Sequence, residues 1–418
     1  PAVDADDTII EVAAAMARLR SPLIAVEKNG KLCGVITAAR LLAAALRKAA
    51  FVESQQQAEH AIGLLEQVEE VKRRDRLRLD LLTTLGTAQF NLLGLSAAPV
   101  EETFRQAEEI AERIDSEISL MVLNGMWSVQ FARGNRDGIS RLLPFMHRLA
   151  ESEDPMSALT GNTGVGIHAF WNGEFEKGRS FAARARGYYG HPEVRSFVKN
   201  LGWDGTMYCY SVEFLCLWHL GFPDEARALC QEMMEKVAVE RNPTAIAPAL
   251  GFEAMLLRDL GDHEAAIRSA DRLIAMATEQ KLYLWMAIGF LCRASGMIGG
   301  GDGPGALMML QQGLMILKTI GTMLSYAYYQ VDLAQAQILV GDLAGAEAAI
   351  AEGLQLCETT FARFFEPELH RLRGIVLVRQ GDLAGAKASV LRAIARAREL
   401  GARSYELRAT ATMAEVSG

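Results

Sequence analysis

Glycine recurs in this chain with a period that leaves few folds open: Gly94, Gly134, Gly173, Gly221, Gly261, Gly301, Gly341 and Gly381 each end one amphipathic segment and open another. The intervals are 40, 39, 48, 40, 40, 40 and 40 residues. The last copies are nearly literal, Gly341-Asp-Leu-Ala-Gly-Ala346 against Gly381-Asp-Leu-Ala-Gly-Ala386, and Gly261-Asp-His-Glu-Ala-Ala266 keeps the same register. A phase held this long means repeats, which also resolves a problem of size: 418 residues are too many for one compact core, whereas stacked units need contact only their neighbours.

After a helical run, glycine supplies the left-handed turn that ends the helix, and the aspartate behind it can cap the next helix through its side-chain oxygen. Each unit therefore reads as two antiparallel helices joined by a tight turn. Seven residues before the turn glycine stand Gly166, Ala254, Ala294, Ala334 and Gly374, and five after it stand Ala226, Ala266, Ala306, Ala346 and Ala386. Small residues at both places let the paired helices approach closely. Their twelve-residue separation resembles the small-residue positions of the tetratricopeptide motif, with its unit of about 34 residues lengthened by about six. Composition agrees: half of the residues are hydrophobic, only 7% are aromatic, and there are 11 prolines.

The interval between Gly173 and Gly221 holds eight extra residues and the breaker cluster Gly187-Tyr-Tyr-Gly-His-Pro192, so a surface insertion is expected there. After Gly381 one helix runs to about Leu400, and Ala402 to Val416 reads as a capping helix. The expected fold class is mostly α. A tetratricopeptide-like α-solenoid, a right-handed superhelix of about eight hairpins of about 40 residues, occupies residues 49–418 behind a small α/β module at residues 1–48.

In that first module, Leu23-Ile-Ala-Val-Glu27 and Leu32-Cys-Gly-Val-Ile-Thr37 flank Lys28-Asn-Gly-Lys31, a hairpin signal, with helices expected from Asp7 to Arg18 and from Ala38 to about Ala50. The order helix, strand, hairpin, strand, helix, ending in Asn29-Gly-Lys-Leu-Cys-Gly-Val-Ile-Thr-Ala-Ala-Arg-Leu-Leu42, resembles a single cystathionine-β-synthase-type (CBS) motif. Such motifs work in pairs that hold adenosine nucleotides in the cleft between them, and one copy is visible. The resemblance implies that Thr37 faces ligand phosphate. The following ribose-binding Asp of the family is replaced here by Arg40, which cannot accept hydrogen bonds from a ribose diol but can pair with phosphate. Two readings stay open, an adenosine nucleotide held at Thr37 and Arg40 or a structural role in self-association, and the second is favoured.

From about Phe51 onward, Tyr189-Gly-His-Pro192, Glu368-Leu-His-Arg-Leu-Arg-Gly374 and the closing Gly401-Ala-Arg-Ser-Tyr-Glu-Leu-Arg-Ala409 carry a second resemblance. The chain is similar to the tetratricopeptide region that follows the ATPase module in bacterial multidomain proteins related to class III adenylate cyclases. That implies an accessory regulatory region, with any cyclase or ATPase chemistry upstream. The chain opens on Pro1, so further sequence is expected before it.

Other function classes find little support. A formal charge of −8 gives no footprint for nucleic acid, and no run of eighteen apolar residues offers a membrane span. The six scattered cysteines contain no C-x-x-C pair and the seven histidines no H-E-x-x-H pair, so neither a disulfide scaffold nor a metal site is signalled, and a reducing cytoplasm fits. Gly173-Glu-Phe-Glu-Lys-Gly-Arg-Ser180 nearly matches a phosphate loop, with Arg179 for the lysine, yet it follows His168-Ala-Phe-Trp-Asn172 at a helix end instead of a strand. Gly299-Gly-Gly-Asp-Gly-Pro-Gly305 likewise falls on a repeat turn. Met233-Met234 and Met308-Met309 read as core filler.

The sequence therefore points to a non-catalytic regulatory or scaffold protein that binds a protein or peptide, without a cofactor. The alternative is a regulatory fragment of a multidomain cyclase or ATPase. Tetratricopeptide arrays present the first helix of each hairpin on the concave side, and the register projects Tyr208, His219, Arg258, Tyr328, Gln335, Arg371 and Arg379 there. Aromatic and Arg side chains are common interface anchors, and the three arginines suggest an acidic peptide; ordinary solvated helix residues are the equally weighted reading.

Overall fold

Seven of the eight turn glycines lie within the part of the chain that the computed structural model describes, residues 2–4, 23–28, 31–37, 51–93, 97–114, 119–195, 206–239 and 242–417. All seven have positive φ, from 67° at Gly134 to 91° at Gly221. Gly94 and the helices expected over residues 7–18 and 38–50 lie outside the described residues. At Gly341 the turn closes as the chemistry requires. Its amide donates to Ile338 O at 3.3 Å, the Asp342 amide donates to Gln337 O at 2.9 Å, and Asp342 Oδ1 accepts from the Gly345 amide at 2.9 Å to start the next helix. Asp262, Asp302 and Asp382 cap their helices in the same way.

The chain divides into two compact units, Pro1–Val129 with Arg195–Trp203 and Gln130–Val194 with Asp204–Gly418. In the first, β1 (Ala2–Asp4) pairs parallel to β2 (Leu23–Lys28), and β2 pairs antiparallel to β3 (Lys31–Thr37). Lys28 faces Lys31 across the expected Asn-Gly turn, and an irregularity after Val26 leaves Cys33 without an opposite residue. The short β1 was not expected. Helices α1 (Phe51–Leu64) and α2 (Val71–Leu93) pack through Ala58, Ala61, Leu65, Leu81 and Leu85. Helix α3 (Ala98–Arg113) places the Phe104 ring against Gly86 of α2 and Gly125 of α4 (Leu120–Arg133), where side chains would collide with it.

The second unit continues with α5 (Arg136–Ala150), α6 (Pro155–Trp171), α7 (Phe175–Arg186), α8 (Thr206–His219), α9 (Pro223–Val237) and α10 (Pro243–Asp259). It then runs through α11 (His263–Glu279), α12 (Tyr283–Gly299), α13 (Gly303–Thr319), α14 (Met323–Tyr328) and α15 (Gln330–Val340). The last four helices are α16 (Leu343–Thr359), α17 (Glu366–Arg379), α18 (Leu383–Glu399) and α19 (Arg403–Ser417). These helices make the second unit a tetratricopeptide-like solenoid, and with α1 to α4 helical as well the fold class is mostly α. The small-residue register is as expected: a Cβ on Gly166 would lie 3.4 Å from Gly178 O, and one on Gly374 would lie 3.3 Å from Ala386 O, so the position seven before the turn faces the position five after it. The helix also ends at Arg186, and turns occupy residues 187–190 where the insertion begins.

Within this unit the late helices return to the turns of the early hairpins. The Arg363 and Phe364 amides donate to Trp171 O at 2.8 and 3.3 Å, Arg136 donates to Glu358 O at 2.9 Å and also to Thr360 O, and Ser404 Oγ donates to Trp218 O. Thr360 packs on Gly134, Leu400 on Gly173 and Arg403 on Gly221. The long segment before α17 makes this seam possible: where the other units turn tightly, residues 360–365 leave the helix and carry Phe361, Phe364 and Phe365 inward to full burial.

Candidate functional site

Aromatic side chains fill much of the space behind the seam. His219, at the C-terminal end of α8, stacks on Phe175 with centroids 4.4 Å apart, and Tyr405, Phe364, Trp218 and Phe170 enclose it at 4.9, 5.5, 4.7 and 5.8 Å. Burial, reinforced by the charges of Arg408 and Arg258, holds its imidazole neutral, with a pKa well below the ordinary value. A residue 1% exposed cannot be a groove wall; His219 is core.

Beside this cluster lies a cavity of about 490 Å³ built entirely from the second unit. The C-terminal end of α10 contributes Arg258 and Asp259, α12 contributes Ser295, α14 and α15 contribute Tyr328, Asp332 and Gln335, α17 contributes Glu368 and Arg371, and α19 contributes Tyr405, Arg408, Thr412 and Glu415. The α19 residues recur at spacings of four and three, which puts them on one helix face.

The walls are a connected ionic network. Arg258 Nη2 donates to Asp259 Oδ1 at 3.0 Å and to the Tyr328 hydroxyl, while Nη1 reaches both oxygens of Asp332 at 3.2 Å. Ser295 Oγ donates to Asp332 Oδ2 at 2.5 Å. Arg371 grips Glu368 through Nε at 2.9 Å and Nη2 at 2.6 Å, and its Nη1 donates to Thr412 at 3.3 Å. Arg408 donates to Asp259 O at 3.2 Å and lies over the Trp218 ring at 4.9 Å. Burial pushes the Asp332 carboxyl up against the pull of Arg258 and Ser295; burial also opposes ionisation of Glu368, but Arg371 outweighs it and the pKa falls. Ion pairs this deeply desolvated contribute little net stability, so an arrangement that retains several of them around a hollow is better matched to orienting polar groups of an occupant.

Of the seven residues projected onto the concave side, Arg258, Tyr328, Gln335 and Arg371 line this one cavity. His219 lies in the aromatic core. Tyr208 packs with Phe252 and Trp285 at 5.8 and 6.1 Å, and exposed Arg379 donates to Ile338 O at 2.5 Å. Arg258 and Arg371 do not stand ready for an acidic peptide, because Asp332 on α15 and Glu368 one turn earlier on α17, not read as partners, already hold them. Thr37 ends β3, and Arg40 lies outside the described residues.

Sequence reasoning missed Asp332 and Glu368, and it missed Tyr405 and Arg408 because α19 was read only as a cap. The signal was present: the stretches 368–374 and 401–409, which carried the family resemblance, supply Glu368, Arg371, Tyr405 and Arg408 to the cavity. The near match to a phosphate loop is a helix-joining turn, with Gly173 at φ 83° between α6 and α7. Among the described residues no group of His, Cys, Asp and Glu is placed to hold a metal ion, and no helix is long and apolar enough to cross a membrane.

Comparison with known proteins places the CBS domain at residues 1–47. An uncharacterised protein of Rhizobium meliloti (strain 1021) is 25% identical over 386 residues, covering 88% of this chain; the chain spans 36% of that relative's length. Among solved structures, a Rap protein complexed with competence and sporulation factor is similar over 91% of this chain and 96% of its own, with 12% identity and a TM-score of 0.43.

Proposed function

We propose that this chain is a non-catalytic regulatory protein whose helical array takes a protein or peptide segment in the cavity lined by Arg258, Tyr328, Gln335 and Arg371. The cavity itself carries the reading: a concave space of the size of a ligand site, floored by buried, mutually satisfied charges and flanked by aromatic rings, where a repeat array that only needed stability would place apolar side chains. The CBS domain supports a sensing or self-associating role for residues 1–47, with Thr37 and Arg40 as the residues toward a nucleotide phosphate. Photo-crosslinking tests the first part. A photoreactive amino acid at Gln335 is expected to trap a partner segment that the same amino acid at Met315, 65% exposed on α13, does not trap. Identical adducts from both positions would refute the cavity as the binding surface.

A second reading, that the array regulates a cyclase-type or ATPase module on the same polypeptide, rests only on the sequence resemblance of the stretches 189–192, 368–374 and 401–409. Metal-dependent turnover of ATP by the purified gene product, measured with and without the partner, tests it; no turnover under either condition counts against it.

A further inference from the structure

We propose that the occupant of the cavity is a peptide segment that presents a basic side chain to Glu415, and is not an acidic peptide. This inference rests on the cavity being the binding site. Its walls hold three guanidinium groups, Arg258, Arg371 and Arg408, against four carboxylates, Asp259, Asp332, Glu368 and Glu415. Each guanidinium is already engaged: Arg258 with Asp259 and Asp332, Arg371 with Glu368, and Arg408 with the carbonyl of Asp259 and, at 3.5 Å, its carboxylate. An incoming carboxylate would have to displace one of these partners and leave it desolvated without a counter-charge, which is unfavourable.

The remaining charge is Glu415. It makes no hydrogen bond or ion pair with a described residue, although its field helps to keep Arg371 protonated. It lies seven residues after Arg408 and three after Thr412 on the α19 face that lines the cavity, exposed at the rim. A cation entering there meets an unspent carboxylate, and it breaks no existing pair. The protein's formal charge of −8 acts in the same direction, favouring approach of cationic ligands.

The test is affinity selection from a random tetrapeptide library with acetylated amino termini, comparing the wild-type chain with Glu415→Gln, Glu415→Arg and the cavity-filling Gln335→Trp. Glu415 is exposed in the last turn of α19 and Gln335 is half-buried midway along α15, so circular dichroism and the melting midpoint verify folding of each variant. The wild type is expected to enrich Lys and Arg, Glu415→Gln to lose that enrichment, and Glu415→Arg to shift it toward Asp and Glu. For an enriched peptide, Glu415→Gln is expected to weaken binding by about twofold to fivefold. Enrichment of Asp and Glu by the wild type, or Lys and Arg enrichment that survives in Glu415→Gln, overturns the charge inference and leaves the cavity standing. Enrichment unchanged in Gln335→Trp, or no enrichment at all, overturns the cavity reading and this inference together.

Discussion

Arg258 Nη1 lies 3.2 Å from both carboxylate oxygens of Asp332, 74 residues further along the chain, and thereby ties α10 to α15 across the inner face of the array. Both side chains are almost wholly buried. Removing the cation alone, as in Arg258→Met, leaves the desolvated Asp332 carboxylate without a counter-charge in contact and is expected to cost about 3–5 kcal/mol. The double variant Arg258→Met/Asp332→Leu removes the stranded charge along with the pair and should recover much of that loss. Chemical denaturation midpoints of the two variants check this; a double variant no more stable than the single one would show that the pair itself, and not the stranded charge, dominates.

Lys281 stands at φ 57°, at the position between hairpins where Gly321 and Gly401, 40 and 120 residues further on, have φ 73° and 67°. A side chain in the left-handed region is strained, because Cβ crowds the following carbonyl. Lys281→Gly is therefore expected to raise stability by about 0.5–1 kcal/mol after the entropic cost of glycine is subtracted. Thermal unfolding of this exposed-turn variant checks the sign, and a lowered midpoint would mean that the lysine side chain makes a compensating contact.

Ala346 and Ala386 are fully buried where the two helices of their hairpins touch. Leucine at either place must push a helix away or force strained rotamers, and is expected to cost about 1–3 kcal/mol. Leucine at exposed Ala414 should cost close to nothing and serves as the control in the same denaturation series.

Two buried histidines give the fold an acid sensitivity of known sign. Burial lowers the His168 pKa to about 4, and burial together with Arg408 and Arg258 places that of His219 well below the ordinary value. The unfolded chain binds these protons near pH 6.5 and the fold does not, so their contribution is full above that pH and is lost progressively below it, down to about pH 4 for His168. The slope is up to about 1.4 kcal/mol per pH unit for each histidine. His219→Phe, which keeps a ring against Phe175, should flatten the decline between pH 6.5 and 5 whatever it does to stability at neutral pH. An unchanged slope would mean that His219 is protonated in the fold.

The periodic part of this architecture was readable in the sequence because its determinants are local. Gly341 and Asp342 fix a turn with atoms only a few residues away, and Gly374 and Ala386 meet across a single hairpin. The site was half readable for the same reason. The register projected Arg258, Tyr328, Gln335 and Arg371 to one side, and the four line one cavity, since helical phase is a local quantity. Their partners were not visible: Asp332 reaches Arg258 across 74 residues, and Arg408 reaches Asp259 across 149. Nor could a period show that Phe364 lies outside the helices and helps to turn His219 from a groove residue into a core one.

The seam between early turns and late helices has a consequence for descent. A repeat array in which each unit meets only its neighbours can gain or lose copies with little penalty, and such families commonly differ in copy number. Here Gly134 must meet Thr360, Gly173 must meet Leu400, and Trp218 must meet Ser404. Duplication or deletion of any one hairpin between these partners would offset all the later contacts by a whole unit. Lineages carrying this seam are thus held to one count of hairpins across it, while staying free to drift in sequence.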